Sequence, residues 1–242
     1  MSPATMIAIY AIVAIAAFSQ TVAGFGFSLV AVPLLGLVID PKEAVALALL
    51  FLLLNSSLLA WGERAHIQWD AVRRLLLGAL PGLPLGMVLL EIAPEKGLRL
   101  ALAAAVFAAV AVIVSGFTVS GEGRKFELGA GFFTGLLTTS LNTNGPPTVL
   151  ALQARGLEPH QFRPTSSAVL GLTSAVGAVL FAAGGLLTSD VQRSAVLATP
   201  ALAVGWYAGT RVRGHIPTSM FRRVVLSLLV AAAMATVAAA FR

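Results

Sequence analysis

Gly24-Phe25-Gly26-Phe27-Ser28 and Thr139-Ser140-Leu141-Asn142-Thr143-Asn144-Gly145-Pro146-Pro147 each fall inside an apolar stretch that would otherwise continue as a helix. Glycine pairs and a Pro-Pro step interrupt helical hydrogen bonding, and lipid cannot satisfy the backbone groups they set free. Interruptions at corresponding places in two halves of a chain are a sequence signature of a binding site built from broken membrane helices.

Composition sets the solvent. Hydrophobic residues make up 58% of the 242 residues, charged residues 11%, and the mean hydropathy is +0.92. A soluble domain carries about a quarter charged residues, so this chain reads as an integral membrane protein. Apolar blocks at 5–39, 43–61, 71–90, 97–118, 128–154, 165–187, 194–210 and 224–241 alternate with short charged loops. Several have the length of about 20 residues that crosses the hydrocarbon core as a helix. The pattern is not the short alternating one of a membrane barrel. With no Lys or Arg ahead of the first block, that block is expected to be retained rather than cleaved as a signal peptide. The sequence contains no cysteine, which excludes disulfides and thiolate chemistry. The net charge of +6 is scattered over short loops, so it reports membrane orientation and not a nucleic-acid partner.

An offset of about 119 residues brings Gly26 onto Gly145 and Pro81 onto Pro200. With one residue of slippage, Asp40-Pro41 meets Glu158-Pro159, and Asn55-Ser56 meets Thr173-Ser174. After one further helical turn, Pro94 meets Pro217 and Arg99 meets Arg222. Residues 1–119 and 126–242 are therefore expected to be two transmembrane repeats joined by a linker at 120–125. If every block crossed once, the loop cations would show no bias between the two sides. If 5–39 and 128–154 instead turn back at their breaks, one side gathers Arg64, Arg73, Arg74, Arg124, Lys125, Arg155, Arg163, Arg211, Arg213, Arg222 and Arg223. The other keeps Lys42, Lys96, Arg99, Arg193 and Arg242. That division makes the richer side cytoplasmic and the two halves inverted. The second hairpin is short, so its limbs are expected to be half-helices. The predicted fold is an all-α polytopic membrane protein. It has two inverted repeats, each a broken-helix hairpin plus three transmembrane helices, with up to ten helical segments.

Half-helices starting at a membrane-depth break aim unpaired N–H groups and a positive dipole end inward, which suits an anion. Pro146 and Pro147 fit the first turn of such a half-helix, where no N–H is required. The candidate substrate-binding residues are Gln20, Gly24, Phe25, Gly26 and Ser28 at the first break. At the second they are Thr139, Ser140, Asn142, Thr143, Asn144, Gly145 and Pro146. Asn55, Ser56, Thr173 and Ser174 either line the same site or bridge helices, and the pairs Gly82/Gly86 and Gly205/Gly209 suit close helix packing. All 10 carboxylates stand in loops or at span ends. His66, His160 and His215 occupy separate loops without metal-ligand spacing. Arg163 is either an anchor at the membrane surface or a guard at the entrance to the second hairpin. No hydrolase or nucleotide-binding motif stands out.

Taken together, these stretches resemble the sulfite exporter TauE/SafE family. The likeness rests on Gly24-Phe25-Gly26-Phe27-Ser28 leading to Pro33, and on Gly131-Phe132-Phe133-Thr134-Gly135 leading to Gly145-Pro146-Pro147. Pro81-Gly82-Leu83-Pro84-Leu85-Gly86 is similar to the family's third-helix pattern. Asn142-Thr143-Asn144 stands where many members carry a richer glycine run. The resemblance implies a non-enzymatic, multi-pass transporter of the cytoplasmic (inner) membrane. It would export sulfite, thiosulfate or organosulfonates without a cofactor, with the small anion and the lipid bilayer as partners. A homodimer is left open. A carrier of a non-sulfur anion such as a small carboxylate, or a membrane scaffold without transport, are the alternatives.

Overall fold

The computed structural model describes residues 2–115, 123–212 and 218–241, and their side chains except those of residues 113 and 218–224. Residues 120–122 of the expected linker lie outside the described residues, as do Arg213, His215, Pro217, Arg242 and the side chains of Arg222 and Arg223. The described chain is helical throughout: α1 (Pro3–Ala23), α2 (Phe27–Leu35), α3 (Pro41–Gly62), α4 (Trp69–Ile92), α5 (Glu95–Ser115), α6 (Arg124–Ser140), α7 (Gly145–Ala154), α8 (Pro159–Ala183), α9 (Ser189–Val212) and α10 (Thr218–Ala240). Helix starts follow local chemistry. The Ser2 side chain accepts the Thr5 N–H ahead of Pro3, and Asp40 accepts the Lys42 N–H at 2.8 Å ahead of Pro41.

Among the described residues, α1, α3, α4 and α8 are long and apolar enough to cross a bilayer. The short helices α2 and α7 have 9 and 10 residues, a rise of about 15 Å, or half the hydrocarbon thickness. The expectation of two half-helices in the second hairpin holds for α7 alone. At 17 residues α6 is longer, a rise of about 25 Å, and its Gly131 and Gly135 lie on the backbone of Leu75 and Ala79 in α4.

Helix directions follow from which residues touch. Along α4, Gly78, Gly82 and Gly86 face the backbone of Leu128, Phe132 and Leu136 in turn, so α4 and α6 run parallel. In the same way Gly205 faces Ala14 and Gly209 faces Phe18 and Thr21, so α1 and α9 run parallel. Helices α3 and α8 are antiparallel, with Ser56 against Gly171 and Leu49 against Gly177. So are α5 and α10: Lys96 at the start of α5 sits 4.4 Å from the ring of Phe241, which follows α10. Exchanging the first five helices with the last five turns the α1–α9 pairing into the α6–α4 pairing, and leaves α3–α8 and α5–α10 paired with themselves.

The α6–α7 hairpin returns to the end where it starts. Arg155, just after α7, places Nε 2.8 Å from Glu127 Oε1 in the first turn of α6. Arg74 bridges the same Glu127 and Asp70, gathering α4, α6 and α7 into one ion-pair cluster. At the opposite end Arg99 Nη1 donates to the Gly36 carbonyl at 2.6 Å, satisfying the C-terminus of α2. Lys42 Nζ similarly donates to the Glu91 carbonyl, at 2.8 Å.

The glycine contacts make a stability prediction. A side chain at Gly82 would overlap the Phe132 carbonyl oxygen, whereas one at Gly129 meets nothing within 4 Å. Gly82→Leu should cost about 3 kcal/mol or more through overpacking, lowering the unfolding temperature in detergent. Gly129→Ala should leave that temperature unchanged or raise it, with a gain of up to about 0.5–1 kcal/mol in stability through helix propensity.

Candidate functional site

Each break reverses the chain by a different local device. At the first, Gly24 at φ +85° and Gly26 at φ +99° occupy the left-handed region that side chains disfavour. The Gly24 N–H closes α1 on the Gln20 carbonyl at 2.6 Å, and α2 begins at once. Its first helical bond runs from the Val30 N–H to the Gly26 carbonyl at 3.2 Å, so the N–H groups of Phe27, Ser28 and Leu29 precede any intrahelical partner. At the second break Asn142 takes the left-handed conformation at φ 51°. The Thr143 N–H returns to the Leu137 carbonyl at 3.2 Å, and Asn144 Nδ2 donates to Thr138 Oγ1 at 2.9 Å. Pro146 and Pro147 then occupy the first turn of α7, as expected, and withhold two N–H groups from it.

The two breaks meet around one cavity. Residues 26–29 and 142–145 line it, and Leu52 from α3 and Leu170 from α8 close it where those two helices cross. No charged side chain lines it, and its volume of about 10 Å³ is the room of roughly one water molecule. Three side chains around it are buried and lack a hydrogen-bond partner: Ser28 through Oγ, Thr143 through Oγ1, and Asn142 through both amide atoms. Asn142 is 0% exposed, and Thr143 1%. An unsatisfied buried donor or acceptor costs about 1–3 kcal/mol, so this cluster is held at a cost to the fold.

Other candidates from the sequence are placed elsewhere. Gln20 donates through Nε2 to Ser56 Oγ and accepts from Asn55 Nδ2, both at 2.8 Å, so these three bridge α1 and α3. Thr139 donates to the Leu83 carbonyl and Ser140 to the Leu136 carbonyl at 2.7 Å. Thr173 bonds within its own helix, and Ser174 is buried without a partner. Phe25 packs on Gly145, joining the breaks from the side. Sequence reasoning missed Leu29, Leu52 and Leu170. The last two are separated by nearly the repeat offset, but they were hidden among many leucines.

The structure adds to two further readings. Arg163, read as an anchor or a guard at the second hairpin, lays its side chain over Gly24 of the first, where an added Cβ would come 2.8 Å from Arg163 Cγ. His66 and His160, expected to be in separate loops without metal-ligand spacing, are both exposed, and their rings meet edge-on with centroids 5.3 Å apart because α8 starts beside the short turn Arg64–His66. Among the described residues no group of three or more His, Cys, Asp or Glu could hold a metal ion.

Comparison with known proteins agrees with this architecture. A "Probable sulfite/organosulfonate exporter TauE" of Cupriavidus necator is 27% identical over 234 residues, covering 93% of this chain and 91% of the relative. A "Probable inner membrane transporter protein TsaS" of Comamonas testosteroni is 30% identical over 113 residues, 46% of this chain and 47% of that protein. No solved structure matches significantly. The family model described as sulfite exporter TauE/SafE matches residues 9–236, and the chain belongs to that family of membrane transporters.

Proposed function

We propose that this transporter carries small sulfur oxyanions (sulfite, thiosulfate or organosulfonates) outward through the junction of its two breaks. The observation that carries the reading is the set of buried, unpartnered groups around the junction cavity: Ser28, Asn142 and Thr143. The first turn of α2 adds its free N–H groups and the positive end of a helix dipole, a suitable setting for an anion without Lys or Arg. The Cupriavidus necator relative, a probable sulfite/organosulfonate exporter, supports sulfite and organosulfonates as the substrate class. A sulfur oxyanion is larger than one water, so a transport cycle has to widen the cavity. The neighbouring Gly24 and Gly26 are the natural hinges.

The halves 1–119 and 126–242 are read as inverted repeats. This rests on the antiparallel α3–α8 and α5–α10 pairs together with the matched α1–α9 and α6–α4 pairs. Such a device rocks one half against the other around a fixed central site. The end holding Arg64, Arg74, Arg155 and Arg163 is read as cytoplasmic. In this cysteine-free chain, a single cysteine at position 123 should therefore react with impermeant reagents from the inside only, and one at position 2 from the outside only. The reverse pattern would invert the orientation.

Asn142→Gly keeps the left-handed backbone and removes both unpartnered atoms. It should leave the unfolding temperature in place while weakening transport. One hydrogen bond to a charged group contributes about 1.5–3 kcal/mol, or roughly ten- to a hundredfold in affinity. Thr143→Val should act in the same direction, and Gly26→Leu should abolish flux by crowding the cavity and straining its φ of +99°. Unaltered oxyanion uptake into proteoliposomes by all three well-folded variants would refute this site. Competition among sulfite, thiosulfate, ethanesulfonate and a small carboxylate identifies the substrate.

No ionisable group lines the junction and no nucleotide motif is present, so coupling is not required by the residues at hand. An inside-negative potential drives a monovalent anion outward by about 2.3 kcal/mol per 100 mV, enough to sustain roughly a fiftyfold gradient. Oxyanion flux in proteoliposomes should follow the sign of an imposed potassium diffusion potential. Flux indifferent to that sign, but driven by a proton or sodium gradient, would overturn facilitated efflux.

A further inference from the structure

Two more cavities lie beside the first break, at the end that holds Arg64 and Arg163. The nearer is a neck of about 10 Å³ lined by Thr21, Gly24, Glu63, Arg163 and Ser167. Glu63 and Arg163 also line the wider one, a vestibule of about 510 Å³ that holds the His66–His160 pair. Gly24 is two residues from Gly26, which lines the junction. Vestibule and neck thus adjoin, and the neck reaches the same glycine break that lines the junction.

The neck carries its own indication of a ligand. Ser167 is 1% exposed, lines the neck, and its Oγ has no hydrogen-bond partner. The Arg163 stem lies on Gly24 so closely that an added Cβ there would meet its Cγ at 2.8 Å. A guanidinium offers planar, fork-like donors matched to an oxyanion, and a hydroxyl supplies one more. Building on the transport reading, we propose that the neck is a second, transient oxyanion subsite, with Arg163 both its counter-charge and its gate. In the closed arrangement the Arg163 stem fills the passage over Gly24. When it swings aside, the guanidinium and the Ser167 hydroxyl hold the anion between vestibule and junction. Glu63 shares both cavities, and its carboxylate weakens anion binding there. A station that must release its ion onward needs that weakness.

The chain has no cysteine, so Ser167→Cys places a single thiol in the neck. Vesicles of both orientations would be treated with 2-sulfonatoethyl methanethiosulfonate, an anionic organosulfonate probe, and with its cationic trimethylammonioethyl counterpart. Relative to a free small thiol, the introduced thiol should prefer the anionic reagent at least tenfold when it is applied at the cation-rich face. Ethanesulfonate should protect it. Adding Arg163→Gln should abolish the preference and Arg163→Lys should restore part of it. An unreactive thiol at this position, equal rates with both probes, or a preference that survives Arg163→Gln would overturn the subsite.

Transport supplies the second readout. Arg163→Gln should raise KM about tenfold for oxyanion entering from the cation-rich face and leave KM from the opposite face unchanged, whereas Asn142→Gly raises both. An equal rise at the two faces, or none, would overturn the gate. If the unaltered protein moves no oxyanion, the transport reading fails, while the reagent preference still reports on the neck.

Discussion

A helix that stops inside a bilayer leaves backbone N–H and C=O groups that lipid cannot satisfy, and two such stops are built into this chain. Their solution shapes everything nearby. The breaks are buried against each other and against the crossing of α3 and α8, so no lipid reaches them. Gly24 and Thr143 return their N–H groups to the preceding helix, and Arg99 closes the far end of α2 at Gly36. Several unsatisfied groups gather at the junction: the first turn of α2 and the side chains of Ser28, Asn142 and Thr143.

The two breaks do not contribute alike. In the first, two left-handed glycines expose a free helix start, so its donors are backbone N–H groups. In the second, Pro146 and Pro147 take two N–H groups away from α7, and the polar chemistry passes to Asn142, Thr143 and Asn144. Backbone donors are fixed by the helix and suit any oxyanion. At the second break two of these side chains, those of Asn142 and Thr143, keep polar atoms without partners, while Asn144 is tied to Thr138 within the turn.

Much of the architecture was legible early because membrane burial writes itself into composition. The apolar blocks, the breaks at Gly24–Gly26 and Asn142–Pro147, and the return of the hairpins followed from hydropathy, helix-breaking chemistry and the sorting of loop cations. The glycine pairs Gly82/Gly86 and Gly205/Gly209 do pack helices, as small residues at such spacing suggest. The site was less legible. Polarity marks a residue as needing a partner but not which partner it finds. Gln20 finds partners in Asn55 and Ser56 between α1 and α3, whereas the side chains of Asn142, Thr143 and Ser28 find none.

The sequence by itself determined that the chain lives in a membrane, where its helices break, and which ends carry the positive charge. Each of these depends on local composition and on the bilayer as solvent. Only the tertiary structure decided that the two breaks share one cavity, that Leu52 and Leu170 close it, and that Arg163 lies on Gly24. The physical reason is that these contacts join residues more than a hundred positions apart. Helix packing sets such contacts through close backbone approach at glycines, and a periodicity or motif along the chain carries no record of them.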